Sequence, residues 1–137
     1  MQPTSANVAG ELSAPVVSFP LTAAQRDIWL DQMSRGDSPL YNIGGYVELS
    51  GPLDPALLQS ALEYLIEAND ALRIVLRSDV GHDGLPLQGF AQALPVAMPL
   101  FDLSGQADPQ AAARALVEAQ MAQAFVLSGH ALFRFSL

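Results

Sequence analysis

The sequence predicts an α+β fold in which about three helices pack against a mixed or mostly antiparallel sheet. Helix-start signals occur three times, at Thr22 with Gln25 three residues later, at Asp54-Pro55 and at Asp108-Pro109. Short segments in which apolar and polar residues alternate lie between and after these helices, and alternation is typical of strands. The predicted order is α-β-α-β-β-β-α-β without a repeat, and such a mixed order indicates an α+β layer.

The first predicted helix extends from Thr22 to the helix-ending residues Gly36 and Pro39. The second helix ends near Asn69, and the third continues through Gln123. Each helix has an apolar face, which indicates that it packs on a core. These faces consist of Ala24, Ile28, Trp29 and Met33 in the first helix, Leu58, Ala61, Leu62, Leu65 and Ile66 in the second, and Ala112, Leu116 and Ala119 in the third.

Five segments are predicted to be strands because their apolar residues alternate or form short runs. Pro99 makes one of them an edge or irregular strand, since proline cannot donate a ladder hydrogen bond. The segments are residues 43–50, 72–77, 87–92, 96–101 and 131–137.

The length of 137 residues fits one small domain, and half of the residues are apolar, which is enough for a core. Residues 1–18 are small and polar, with two prolines, and are predicted to be a flexible leader. Residues 19–137 are predicted to form the folded part.

The charge pattern argues against nucleic-acid and membrane partners. Net charge is −8, and all six basic residues are arginines scattered along the chain, so no basic stripe exists to neutralise phosphates. No segment has the length and apolarity of a membrane span or a secretory signal. The absence of cysteine excludes disulfides and thiolate nucleophiles and fits a cytoplasmic location.

The two histidines do not predict a metal site or a nucleophilic triad. His82 lies beside Asp79 and Asp83, but Gly81 and Gly84 favour a surface turn over a metal cluster. His130 has no adjacent histidine and no following Asp-Gly. No metal ligands are therefore predicted.

Two short stretches carry a specific signal. The first is Leu21-Thr22-Ala23-Ala24-Gln25-Arg26-Asp27-Ile28-Trp29, and the second is Asn69-Asp70-Ala71-Leu72-Arg73. Together they resemble the first two signature motifs of the condensation domains of nonribosomal peptide synthetases. The residues that carry the resemblance are Thr22, Ala24, Gln25, Arg26 and Trp29 in the first motif and Asp70, Leu72 and Arg73 in the second.

The resemblance extends in collinear order over residues 20–137. Further matching stretches are Tyr41-Asn42, Leu53-Asp54-Pro55-Ala56-Leu57, Phe101-Asp102-Leu103-Ser104, Asp108-Pro109, Phe125-Val126-Leu127 and Leu132-Phe133-Arg134. The chain departs from the family where Asn69-Asp70 stands for His-Glu, and where Gly129-His130-Ala131-Leu132 stands for a Gly-Pro-Leu-like turn. These departures concern the subtype more than the family.

The resemblance implies a chloramphenicol acetyltransferase-like fold of two lobes, of which this chain is an incomplete N-terminal lobe. The family's catalytic motif, HHxxxDG, is absent, and Leu137 precedes the point where it is expected. We therefore expect no catalytic residue in this chain and no condensation by it alone. The resemblance implies that the parent enzyme forms amide bonds between aminoacyl or peptidyl thioesters, which carrier proteins present on phosphopantetheine arms, and that no cofactor binds directly.

The resemblance also implies a role for Arg73 as structural support of the catalytic loop. A lone arginine in an alternating strand faces water by default. In the family, however, the equivalent arginine is thought to pair with the aspartate of HHxxxDG, and a planar guanidinium suits a buried carboxylate. Without that aspartate, we expect Arg73 to be a partly buried charge that lacks its partner.

Three alternatives stay open from the sequence. The parent could be a related HHxxxDG acyltransferase that uses a free acceptor, or the chain could be a non-catalytic module that binds carrier proteins. The third alternative is a fragment that self-associates through an apolar face. Because Met1 lies close to the start of the domain, we also expect the donor carrier protein to act in trans.

Overall fold

The computed structural model describes residues 17–137, so most of the predicted leader lies outside the described residues. The elements are β1 (Ser18–Pro20), α1 (Ala23–Arg35), α2 (Pro55–Ala68), a 3₁₀ helix (Asp70–Arg73), β2 (Ile74–Val80), β3 (Pro86–Phe90) and α3 (Pro109–Met121). The prediction of three helices with an antiparallel sheet is confirmed. In the described part, no helix is both long and apolar enough to cross a bilayer.

The three helix-start signals act as predicted. The Thr22 hydroxyl accepts from the Gln25 backbone N–H at 3.3 Å, and the Gln25 side chain accepts from the Thr22 backbone N–H at 2.9 Å. Asp54 and Asp108 cap α2 and α3 by accepting from backbone N–H groups of the first turn, and each helix has a proline at its start. Gly36, at φ +62°, ends α1 in a conformation that disfavours residues with a Cβ atom.

The sheet has the order β1-β3-β2, and both pairings are antiparallel. In β1, Ser18 pairs with Gly89, so the last residue of the predicted leader belongs to a strand. This strand was not predicted because it is only three residues long and ends in proline. β2 is irregular between Leu76 and Val80, where its register against β3 shifts.

The predictions of strands at 43–50, 96–101 and 131–137 are wrong, because none of these segments forms a strand of the described sheet. Residues 43–50 are exposed and irregular, and no described strand pairs with them. Leu137 is bound to the neighbouring segment, since its N–H donates to the Pro99 carbonyl at 3.0 Å and its carbonyl accepts from Phe101 N–H at 2.7 Å. A ladder requires a partner from elsewhere in the chain, and local alternation does not supply one.

The core lies between α2 and the sheet. Its buried apolar residues are Ile66, Val75, Ala91 and Leu94. Leu72, Val96, Ala131, Phe133 and Phe135 are partly buried and pack against them. In contrast, the apolar residues Ile28 and Met33 of α1 are about half exposed, at 47% and 50%. The core of the described part is therefore small, and α1 is held to the sheet by other contacts.

A pair of glutamine side chains makes that contact. Gln25 Nε2 donates to Gln88 Oε1 at 2.7 Å, and Gln88 Nε2 donates to Gln25 Oε1 at 2.9 Å and to the Pro20 carbonyl at 3.0 Å. The orientation of both amides is fixed, because the Pro20 carbonyl requires a donor and the Thr22 N–H requires an acceptor. Gln88 is buried, so this pair joins α1 to β1 and β3 away from water.

We predict that Gln88→Glu destabilises the fold by about 1–3 kcal/mol at neutral pH, because a carboxylate oxygen would replace the side-chain donor that binds the Pro20 carbonyl. Protonating the new carboxyl at low pH should recover part of the loss. Urea unfolding at two pH values measures both effects. The control is Gln106→Glu, which adds the same charge at an exposed position. Equal stability of the two variants would show that the amide pair has no such role.

Candidate functional site

The residues of the first motif lie on α1 and divide into two groups. Gln25 and Trp29 are half-buried, and Gln25 binds β3 through Gln88. Ala24 and Arg26 are exposed, and Arg26 pairs with its neighbour Asp27, at 3.4 Å. Among residues 17–137, the motif therefore combines a capped helix start with one long-range polar contact.

Trp29 lines a groove of about 730 Å³ between α1, β2 and the segment after α3. Its apolar walls include Met33, Leu76, Val80 and Phe125. At the bottom of this groove, Leu76 forms a parallel bridge with Ser128. The Leu76 carbonyl also accepts from Gly129 N–H at 2.8 Å, so β2 is bound to the segment after α3.

The second motif forms the 3₁₀ helix and not the start of a strand, which corrects the predicted strand at 72–77. With three residues per turn, a 3₁₀ helix places Asp70 and Arg73 on the same side. Arg73 Nη2 pairs with the Asp70 carboxylate, and Nη1 donates to the Ala91 carbonyl at 2.8 Å. Leu72 packs against the core. The expectation that Arg73 lacks a carboxylate partner is therefore wrong.

One donor of Arg73 is still unsatisfied. Its Nε is buried and has no hydrogen-bond partner among the described residues, although the side chain as a whole is 19% exposed. The side chain borders a pocket of about 300 Å³ that also includes Glu63, Glu67 and Leu94. A buried N–H without a partner costs free energy, so this position favours an additional acceptor.

Strand β3 connects the two motifs. Gln88 in β3 binds Gln25 of the first motif, and Ala91, directly after β3, binds Arg73 of the second. The backbone reinforces the second link, because Ala91 N–H donates to the Arg73 carbonyl at 2.9 Å. Sequence reasoning missed Gln88. A glutamine between apolar residues of a predicted strand was the available signal, since a polar residue at an inward position needs a partner.

Polar contacts join two of the shorter matching stretches, Tyr41-Asn42 and Leu132-Phe133-Arg134, to α1 and α3. Tyr41 donates to the Asp31 carboxylate at 2.7 Å, and Arg35 donates to the same oxygen at 2.6 Å. Asn42 and Arg134 both bind carbonyl groups at the end of α3. Within residues 17–137, no group of three or more His, Cys, Asp or Glu side chains is arranged to hold a metal ion.

The contacts of Asp31 shift the pKa values of three groups, and they raise the pKa of the Arg35 guanidinium through its hydrogen bond to Asp31. Hydrogen bonds from Arg35 and then Tyr41 lower the pKa of the Asp31 carboxyl, because they favour its charged form. The hydrogen bond to Asp31 also raises the pKa of the Tyr41 phenol. A lowered carboxyl pKa contributes stability above the unfolded-state value, and this contribution is lost as pH falls through the folded-state pKa.

We predict that Tyr41→Phe raises the pKa of Asp31 towards its ordinary value, while the hydrogen bond from Arg35 keeps part of the shift. The loss of stability on acidification below about pH 4 should then become weaker. An NMR titration of the Asp31 carboxyl measures the change. The exposed Tyr46→Phe serves as the control and should leave the titration of Asp31 unchanged. An Asp31 pKa that is the same in both variants would contradict the assigned cause.

Comparison with known proteins gives one consistent family. The sequence model of the condensation domain matches residues 17–137. The chain is 36% identical over 122 residues to an isonitrile lipopeptide synthase of Streptomyces coeruleorubidus, which covers 85% of this chain and 8% of that protein. It is 31% identical over 121 residues to a dimodular nonribosomal peptide synthase of Bacillus subtilis (strain 168), with 88% of this chain and 5% of that protein covered.

Solved structures agree with the sequence matches. The starter condensation domain of rhizomide synthetase superposes with a TM-score of 0.71 at 36% identity, covering 88% of this chain and 28% of that one. The first condensation domain of the CDA synthetase gives a TM-score of 0.77 at 26% identity, covering 89% and 32%. The chain thus spans less than a tenth of the curated relatives it matches and about a third or less of these solved chains.

Proposed function

The chain belongs to the condensation-domain family, of which it forms an N-terminal part, and we propose that its parent forms amide bonds between thioester-bound aminoacyl or peptidyl groups. The observation that carries the proposal is the agreement of its fold with solved condensation domains. Carrier proteins that present substrates on phosphopantetheine arms are the proposed partners. The chain itself contributes support and no reacting group. The absence of cysteine is consistent with the cytoplasmic location that we propose.

We propose that Arg73 supports the loop that carries the family's catalytic histidine. Nη1 and Nη2 are used within the described part, by Ala91 and Asp70, whereas the buried Nε is not. A carboxylate from the HHxxxDG loop would satisfy this donor with a charge-assisted hydrogen bond. The guanidinium, which Ala91 and Asp70 hold in place, would then hold that loop in position. Asp70 neutralises Arg73 only partly, since its own side chain is 71% exposed.

In the parent synthetase, we predict that Arg73→Ala lowers the rate of amide formation about 10–100-fold, because a displaced catalytic loop loses its geometry. Arg73→Lys should restore little, since an ammonium group has no planar fork and no Nε donor. Mass spectrometry of the condensation product measures the rates. The control is Arg114→Ala, on the exposed side of α3. A rate for Arg73→Ala within twofold of the control would contradict the assigned role.

A second candidate concerns the donor. The solved structures that are similar to this chain at 36% identity are starter condensation domains, and one variant of that domain is described in complex with C8-CoA. One curated relative at the same identity is a lipopeptide synthase. These similarities favour a fatty-acyl thioester as the donor, delivered on a separate molecule. Such a donor also agrees with a carrier that acts in trans.

To decide between the donors, the parent is given an octanoyl group on coenzyme A, the same group on a stand-alone carrier protein, or an aminoacyl group on that carrier. Each donor is offered the same acceptor amine, either free or bound to a carrier protein. We expect at least tenfold preference for an octanoyl thioester if the starter similarity extends to substrate choice. Preference for the aminoacyl group on the carrier would favour a condensation domain that elongates peptides. Transfer to a free amine but not to a carrier-bound one would favour the alternative acyltransferase. Binding of carriers without any product would favour the non-catalytic module.

We also propose that the chain self-associates when it is alone, through residues 43–50, whose sequence alternates like that of a strand. Ile43, Tyr46 and Val47 are 98%, 68% and 83% exposed, and no strand of the described residues pairs with this segment, so its backbone is open to pairing with a second copy. The segment is self-complementary. If Tyr46 faces Tyr46 of an antiparallel second copy, Ile43 faces Leu49, Val47 lies over Gly45, and no two charges meet.

We predict that Val47→Lys reduces the dimeric fraction of the chain at least fivefold, because lysine blocks pairing at a strand edge. Light scattering coupled to size exclusion over a concentration series measures that fraction. Leu57→Lys, at a similarly exposed apolar position on α2, is the matched control and should still dimerise. A monodisperse monomer of the unsubstituted chain at high concentration would refute self-association.

A further inference from the structure

The C-terminal end of α3 binds side chains from two distant segments. A helix leaves its last carbonyl groups without intrahelical partners. At α3, Asn42 Nδ2 donates to the carbonyls of Met121 at 2.7 Å and Gln123 at 2.9 Å. Arg134 Nη1 donates to the carbonyls of Gln120 at 2.9 Å and Gln123 at 3.1 Å. We call Asn42, Arg134 and these carbonyl groups the α3 clamp.

Arg134 is the charged member of the clamp, and its position suits its charge. The end of a helix where carbonyls are exposed carries partial negative charge, which a cation stabilises. The guanidinium also lies over the Phe125 ring, with its central carbon 4.3 Å from the ring centroid. The side chain is half-buried, so solvent screens these interactions less than at the surface. Lysine could satisfy the charge but not the stacked, planar arrangement.

In the segment that contains Arg134, successive side chains face opposite sides. Phe133 and Phe135 pack against the core, whereas Arg134 and Ser136 bind α3, Ser136 through Gln120 Oε1 at 3.0 Å. This alternation is that of a strand. Leu137 is then held between Pro99 and Phe101 by two backbone hydrogen bonds. Core packing, side-chain hydrogen bonds to α3 and backbone hydrogen bonds of Leu137 therefore fix the path of residues 131–137. Arg134 makes most of the side-chain hydrogen bonds.

We propose that Arg134 is a positioning residue for the parent's reaction. It fixes the direction in which residues 131–137 run, and with it the loop that carries the catalytic histidine. This inference rests on the proposed function, in which the HHxxxDG motif follows Leu137 in the parent. Arg134 touches no reacting atom, and its effect passes through the backbone of its own segment. Asn42 ties the Tyr41-Asn42 loop to the same helix end without contacting that segment through its side chain.

The experiment measures kcat, KM and hydrogen exchange in the parent. For Arg134→Ala, we expect kcat about tenfold lower with KM within twofold, and faster amide exchange in the peptide that covers residues 131–137. Arg134→Lys should keep the melting temperature and still lose at least threefold in kcat, which a role in stability alone would not produce. Asn42→Ala should loosen the 41–42 loop with a smaller effect on kcat. Arg114→Ala, in the same helix but outside the clamp, should match wild type.

Unchanged kcat in both Arg134 variants would overturn the proposal, even if exchange increased, because Arg134 would then act in stability only. If Arg134→Ala does not fold, the comparison of Arg134→Lys with Arg114→Ala decides. A parent that forms no amide product would refute the proposed function. Unchanged exchange of residues 131–137 in Arg134→Ala would refute the clamp itself, whatever the parent's reaction.

Discussion

Strand β3 lies between β1 and β2, and its side chains and backbone bind residues of both family motifs. The apolar core of the described part is too small to hold α1, whose apolar residues are about half exposed. The helix is held by Gln25, whose amide meets Gln88 with both orientations fixed by backbone groups. Since a buried amide pair is stable only when every donor and acceptor is satisfied, the position of α1 on the sheet is narrowly defined.

The arginines show a division between local and long-range contacts. Arg26, Arg35, Arg73 and Arg77 each pair with an aspartate within four residues, and such pairs contribute little to the tertiary fold. Arg73 and Arg134 also bind backbone carbonyls, 18 and 14 residues away. These contacts connect separate elements, because a carbonyl acceptor has a fixed position. Arg73 and Arg134 therefore organise the backbone of this acidic chain.

The helices were predictable because their signals are local. Thr22 with Gln25, Asp54 and Asp108 each satisfy N–H groups two or three residues away, so the sequence alone contains both partners. The strands were less predictable. Residues 43–50 alternate correctly, but a ladder depends on a second segment that alternation does not specify. The sequence predicts a strand where the 3₁₀ helix lies because Leu72 and Ile74 flank Arg73, a spacing that is typical of an alternating strand.

The same distinction applies to the site. The motif residues were identified from the sequence as a set, but what each one binds depends on the tertiary structure, as Gln88 and the α3 clamp show. In residues 131–137, the side chains already alternate between two sides although no ladder is formed: Phe133 and Phe135 face the core, and Arg134 faces α3. Because this segment is already ordered, pairing it with another strand would cost less conformational entropy. In the described part, the side chains of residues 43–50 are not held in this way, so any pairing of this segment must be specified by its partner. Residues 131–137 are therefore already oriented by their own side chains, whereas the register of residues 43–50 depends on the segment that pairs with them.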